Sequence, residues 1–292
     1  MSPLYWEVYW TVALFLLGAC VGSFLNVCIY RLPAGLSIVW PPSHCPKCQK
    51  RIAAYDNLPI LSWFILRGRC RQCGQKFSIE YAAVEFFTAA LFAGFYWALM
   101  IAQVRGPELA HWGVYAVYMA LAAALLVSSV IDFKTKEIYT VVTNGGMIVA
   151  VAACAIFPDL MSRSFGPHWF HQDRLDAVVL SLLGLAVGGG IIWITRILGR
   201  LAFRREAMGF GDVLLMGLIG AVLGWEGALL VFFIAPFFGL VYGLWRLLRH
   251  QDNEVPYGPF LSLAAGAVCL AQTTIVGWFA PGLRGFWEVV FR

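Results

Sequence analysis

Residues 111–136 read HWGVYAVYMALAAALLVSSVIDFKTK. No Asp, Glu, Lys or Arg interrupts the run until Asp132, after which Lys134 and Lys136 follow at once. At 1.5 Å per residue, an apolar helix over 111–131 is about 30 Å long, the thickness of a bilayer's hydrocarbon core. The stretch therefore reads as a membrane span that ends on a carboxylate and then on basic charge. Comparable apolar runs occur near 8–29, 82–103, 141–157, 175–198, 213–224, 227–247 and 260–280.

The whole chain agrees with this reading. Of its 292 residues 61% are apolar and 13% charged, too little polar surface to cover a soluble globule of that size. The first run is long enough to span, and equally apolar runs follow it, so it reads as a retained helix and not as a cleaved signal. The expected fold is an all-α polytopic membrane protein with about eight transmembrane helices, in contact with membrane lipid. The sixth run is short, and only Gly224, Trp225 and Glu226 separate it from the seventh. That pair reads as a re-entrant or tightly turned hairpin.

Lys and Arg concentrate in alternate loops. Arg31, Lys47, Lys50, Arg51, Arg67, Arg69, Arg71 and Lys76 follow the first run, and Lys134 and Lys136 the third. Arg196, Arg200, Arg204 and Arg205 follow the fifth, and Arg246 and Arg249 the seventh; Arg105, Arg163, Arg174, Arg284 and Arg292 fall on the other side. An excess of basic residues marks cytoplasmic loops, so the first set is expected inside a bacterial inner membrane and both termini outside. The net charge of +5 is accounted for by this topology, with no nucleic-acid partner expected. His168 and His171 fall in the stretch 158–174, which reads as an external surface loop.

Residues 31–81 form the one polar segment large enough to fold by itself, yet too small to rely on an apolar core. Cys45-Pro46-Lys47-Cys48 and Cys70-Arg71-Gln72-Cys73 lie in it, 21 residues apart. Two such knuckles present four thiolates tetrahedrally to one Zn2+, and a metal supplies the folding free energy that the loop lacks. Four thiolates leave no open coordination position, so the zinc is expected to be structural. A cytoplasmic setting disfavours persistent disulfides, and a redox motif does not need two copies. Cys20, Cys28, Cys154 and Cys269 stand singly in apolar runs and read as packing residues.

Carboxylates at membrane depth are costly and usually functional. Asp132 closes the third run, and Asp212 opens the sixth within Met208-Gly209-Phe210-Gly211-Asp212-Val213. The topology puts both at the cytoplasmic boundary, although 80 positions separate them. Two adjacent carboxyls share a proton, so that one activates water while the other polarises a carbonyl, which is peptide hydrolysis without a catalytic metal. Gly209 and Gly211 suit a loop that receives an extended peptide. Helix capping is the competing account: it fits Asp212 well, and Asp132, at a helix C-terminus, poorly.

These residues together resemble the bifunctional type IV prepilin peptidases, members of the GxGD membrane aspartyl proteases. The resemblance covers Gly22-Ser23-Phe24-Leu25-Asn26-Val27, Arg31-Leu32-Pro33, both CxxC pairs, Asp56-Asn57-Leu58-Pro59-Ile60-Leu61-Ser62-Trp63 and Glu85. It continues through Ile131-Asp132, Glu206-Ala207-Met208-Gly209-Phe210-Gly211-Asp212 and Val255-Pro256-Tyr257-Gly258-Pro259-Phe260. It implies that Asp132 and Asp212 are catalytic. It also implies a prepilin or pseudopilin substrate, with pilus assembly, type II secretion and DNA uptake all open as its pathway, and methylation of the new amino terminus with S-adenosylmethionine as donor. Asn26, Arg31, Asp56, Asn57 and Glu85 are the polar positions of the matching motifs that would serve methyl transfer. The expected division is 1–30 as first helix, 31–81 as cytoplasmic zinc-binding loop linked to methyl transfer, and 82–292 as protease core. Ile138-Tyr139-Thr140 stands where relatives often carry Ile-Pro-Asp, Leu214 where a Lys is usual and Ala82 where a Pro is common. The rival from another class is a transporter with Asp132 and Asp212 as an ion relay. Against it, the acids lie at the interface and no inverted repeat relates the halves.

Overall fold

The computed structural model describes residues 3–101, 109–161, 173–204, 208–249 and 256–271. The external loop with His168 and His171, Glu206, Val255 and the end of the last apolar run lie outside the described residues. Eight α-helices and no extended strand occur among the described residues: α1 (Pro3–Arg31), α2 (Leu61–Ile65), α3 (Glu80–Tyr96), α4 (Leu109–Thr135), α5 (Thr140–Ile156), α6 (Asp173–Phe203), α7 (Phe210–Leu248) and α8 (Gly258–Ala271). The chain divides into two compact units, Met1–Gly106 and Pro107–Arg292.

In the first unit α1 packs along α3, and small residues allow the approach. A Cβ placed on Gly18 would lie 2.8 Å from the Cα of Ala89, and one on Gly22 would lie 2.7 Å from the Cα of Glu85. Gly18 and Gly22 form a GxxxG pair, which lets two backbones meet where lipid supplies no hydrophobic drive. Between these helices runs the polar loop, with two knuckles. Cys45 N–H donates to Lys50 O and Cys70 N–H to Gln75 O. Each knuckle turns on a left-handed residue after its second cysteine, Gln49 (φ 58°) and Gly74 (φ 69°).

In the second unit α6 and α7 make the tightest pairing. Gly184 of α6 meets the backbone of Gly220, and Ser181 Oγ donates to Ala221 O at 2.7 Å. The long α7 is not straight: Gly224 has φ 76° and ψ 175°, a conformation open to glycine. As one rod, α7 would hold Asp212 and Tyr242 about 45 Å apart. Instead Asp212 lies within electrostatic reach of Asp132, and the Tyr242 ring packs 6.1 Å from that of Phe133. Gly188 faces both the Met216 carbonyl and Ala228 Cβ. The chain therefore reverses at Gly224, and the sixth and seventh apolar runs are the two arms of a hairpin.

Among the described residues five helices are long and apolar enough to cross a membrane: α1, α3 with its π-helical extension to Ile101, α4, α6 and α7; α5 and α8 are shorter. The eight apolar runs thus correspond to eight helical segments, of which five helices, counting the α7 hairpin once, reach spanning length.

Candidate active site and metal centre

Asp132 occupies the last turn of α4 and Asp212 the first turn of α7; both are buried, at 5% and 7% exposure. Asp132 Oδ2 accepts the Gly258 N–H at 3.0 Å. Because Gly258 begins α8, the positive end of that helix offsets the unfavourable end of α4 on which Asp132 sits. Asp212 Oδ2 reaches back to accept the Gly209 N–H at 3.2 Å and caps its own helix. Capping is thus real for Asp212 and compatible with an acid role, since each carboxyl keeps its other oxygen for further partners. Four helix ends meet here, those of α4, α5, α7 and α8.

Three further residues complete this site. Gly258 abuts Asp132, Ile138 fills the space between Gly211 and Gly258, and Tyr257 lies within electrostatic reach of Asp212. The sequence signal for two of them was the Val255–Phe260 motif, read only as a family match. Nothing in the sequence pairs Ile138 with residues 73 and 120 positions away.

In the first unit the Sγ atoms of Cys45, Cys48, Cys70 and Cys73 all lie within 4.8 Å of one another, with Cys45 and Cys73 at 3.8 Å. Tetrahedral zinc with Zn–S bonds of about 2.3 Å requires sulfurs roughly 3.8 Å apart, so the donor set fits the ion in kind and in size. A backbone hydrogen bond from Cys48 draws the Cys45 thiol down to about 7. At Cys73 the backbone bond from Gln75 acts downward, but burial and bonds to the other three sulfurs outweigh it and push the thiol up to about 11. No disulfide joins any two of the eight cysteines, all of which fall among the described residues.

Beside the cluster opens a cavity of about 510 Å³, in the range of small-molecule sites, and Asn26, Arg31, Asp56, Asn57 and Glu85 all line it. Four of the five are already engaged. Asn26 Nδ2 donates to Tyr81 O at 2.9 Å, and the Ile60 N–H donates to Glu85 Oε2 at 2.7 Å. Arg31 donates to Ser37 O at 2.8 Å and Pro41 O at 2.6 Å, which folds the following loop over the end of α1. Asp56 accepts a forked pair from Arg71 at 2.6–3.0 Å, and this bond holds its carboxyl below the usual carboxylate range. Arg71 lies between Cys70 and Cys73, so the second knuckle is tied to the cavity wall. Asn57 is exposed at the rim.

Known proteins are similar to this chain in sequence. Residues 16–99 match the bacterial peptidase A24 N-terminal domain, and residues 119–244 match the type IV leader peptidase family. A prepilin leader peptidase/N-methyltransferase of Pectobacterium carotovorum subsp. carotovorum is 35% identical, over 87% of this chain and 91% of the relative. A type 4 prepilin-like proteins leader peptide-processing enzyme of Escherichia coli O78:H11 is 33% identical over the same shares. A prepilin leader peptidase/N-methyltransferase of Myxococcus xanthus is 36% identical over 84% of this chain and 66% of the relative. No solved structure matches.

Proposed function

The chain belongs to the type IV leader peptidase family, and on that premise we propose that Asp132 and Asp212 are its proteolytic pair and that the cavity beside the cysteine cluster is its methyl-transfer site. It is a prepilin leader peptidase and N-methyltransferase. The observation that carries the residue assignment is the meeting of two buried carboxyls from separate helices, each with one oxygen held by a backbone N–H.

In this reading the pair holds one proton between its two carboxyls. The ionised one takes a proton from water as the water oxygen bonds to the scissile carbonyl carbon. The protonated one hydrogen-bonds the carbonyl oxygen as negative charge develops there. When the carbon–nitrogen bond breaks, the proton taken from water passes to the departing amine, and the pair returns to its starting state.

In this reading α1, α3, α4, α5, α6 and α8 cross a bacterial inner membrane, and the two arms of α7 enter it together as one hairpin. A cytoplasmic acid-pair end of the second unit is supported by Lys134 and Lys136, Arg200 and Arg204, and Arg246 and Arg249, since basic residues concentrate in cytoplasmic loops. A prepilin or pseudopilin with a short basic leader and an apolar helix brings its junction to that depth, the helix in lipid and the leader in the cytoplasm.

Residues 31–81 form the zinc-binding loop, in which Cys45, Cys48, Cys70 and Cys73 hold a structural Zn2+. S-adenosylmethionine, when bound in the cavity, supplies an electrophilic methyl group for the new amino terminus. Glu85 and Asp56 give the cavity acidic walls, Asn26 and Asn57 amide groups, and Arg31 shapes one side by holding the loop at 37–41.

The test uses purified protein in detergent with a precursor pilin and S-adenosylmethionine, following leader removal and methylation by mass. Asp132→Asn and Asp212→Asn are each expected to abolish cleavage while a pre-cleaved substrate is still methylated. Cleavage by either variant at the parent rate refutes the pair.

A further inference from the structure

The connection from α4 to α5 is only four residues, 136–139, and it turns on Lys136 in the left-handed region (φ 58°). This brings Ile138 back across the helix ends that carry the acids. A Cβ built on Gly211 would lie 2.6 Å from Ile138 Cβ, 3.2 Å from its Cγ1 and 3.4 Å from its Cδ1. A Cβ built on Gly258 would lie 3.3 Å from Ile138 Cδ1 and 2.7 Å from Asp132 Oδ2. The isoleucine side chain therefore lies along Gly211, and its tip also reaches Gly258. Gly211 immediately precedes Asp212, and the Gly258 N–H holds Asp132. One side chain thus bridges the two backbone segments that position the two carboxyls.

Ile138 is half-buried, so part of its surface stays open. A peptide bond that reaches both carboxyls passes this surface, and the side chain next to that bond meets it. β-Branching makes the wall stiff, since χ1 of isoleucine has few low-energy settings and cannot swing aside. We propose that Ile138 is the specificity residue of the protease site and limits the residue beside the scissile bond to the smallest side chains. The proposal rests on Asp132 and Asp212 being the proteolytic pair.

The experiment compares kcat/KM for two precursors that differ only in the residue before the cut, glycine or alanine, in the parent protein, Ile138→Val and Ile138→Ala. Ile→Val removes Cδ1, the atom that reaches Gly258, and is the milder change should Ile138→Ala fail to fold. One methylene in a tight pocket is worth about 10-fold or more in discrimination. The glycine-to-alanine ratio is expected to fall about 10-fold in Ile138→Val and further in Ile138→Ala, through faster cutting of the alanine precursor. A ratio equal to the parent's in a folded variant overturns the proposal, even where absolute rates drop, because a packing role lowers both rates alike. Failure of the acid pair is distinguishable, since it shows as cleavage surviving Asp132→Asn or Asp212→Asn.

Discussion

Replacing Gly258 by alanine sets two effects against each other. Alanine is the better helix former by about 1 kcal/mol, and Gly258 begins α8, so on propensity alone the variant should be no less stable. The new methyl, however, would lie 2.7 Å from Asp132 Oδ2 and 3.4 Å from its Cγ. Carbon–oxygen contacts settle near 3.3 Å or more, so roughly 0.6 Å must be found by moving the carboxyl or α8. Asp132 is on the last turn of a 27-residue helix and Ile138 occupies the neighbouring space, so the carboxyl gives way and the 3.0 Å bond to Gly258 N–H lengthens. Misplacing a reacting group by up to an ångström costs about 100-fold in rate. The expected result for Gly258→Ala is a kcat for leader cleavage about 100-fold lower, with KM and methylation of a pre-cleaved substrate near the parent's and no fall in thermal midpoint. A variant that cleaves at the parent rate refutes the claim that this backbone contact sets the acid pair.

Metal analysis of the purified protein is expected to give one zinc per chain, and Cys48→Ser to lower that content and open residues 31–81 to protease. Full metal content in the serine variant would remove the cluster's assignment. Because Arg71 joins the second knuckle to Asp56, chelation should depress methylation before cleavage; equal loss of both would uncouple the knuckle from the cavity. On the substrate side, four polar residues inserted between the cleavage site and the apolar segment should slow cutting severely, as measured by leader release. Efficient cutting of that precursor would show that depth in the bilayer does not select the bond.

The sequence made the candidate groups legible where they are local or where position at a membrane boundary carries meaning. Paired cysteines are spaced by the knuckle that they build, and Asp132 and Asp212 each interrupt an apolar run, so both groups stand out in one dimension. Hydropathy located the long apolar helices but missed the short α2 in the polar loop, and it could not show that Gly224 reverses the chain, because an apolar run looks the same whether its ends meet or part. The GxxxG pair at Gly18 and Gly22 is visible in the sequence and went unread among the other small residues of α1. Ile138 is invisible by any local rule, since its role comes from Gly211 and Gly258 arriving on two other helices. The five polar positions that the resemblance offered for methyl transfer line one cavity, and Asn26, Arg31, Asp56 and Glu85 each already hold a neighbour there.

The reversal at Gly224 bears on how the chain enters a membrane during synthesis. The arm from Phe210 to Leu223 is 14 residues, about 21 Å as a helix, and a bilayer core of about 30 Å gives it no independent transmembrane state. Insertion machinery that samples segments one at a time would pass it over, so the two arms enter as a single unit with the turn leading. The turn then carries polar backbone to a depth without water and needs a protein surface to receive it. That surface is the small-residue face of α6 at Gly184 and Gly188, which leaves the ribosome first. The order of the chain thus has the dock for the Asp212 arm already in place when the arm emerges.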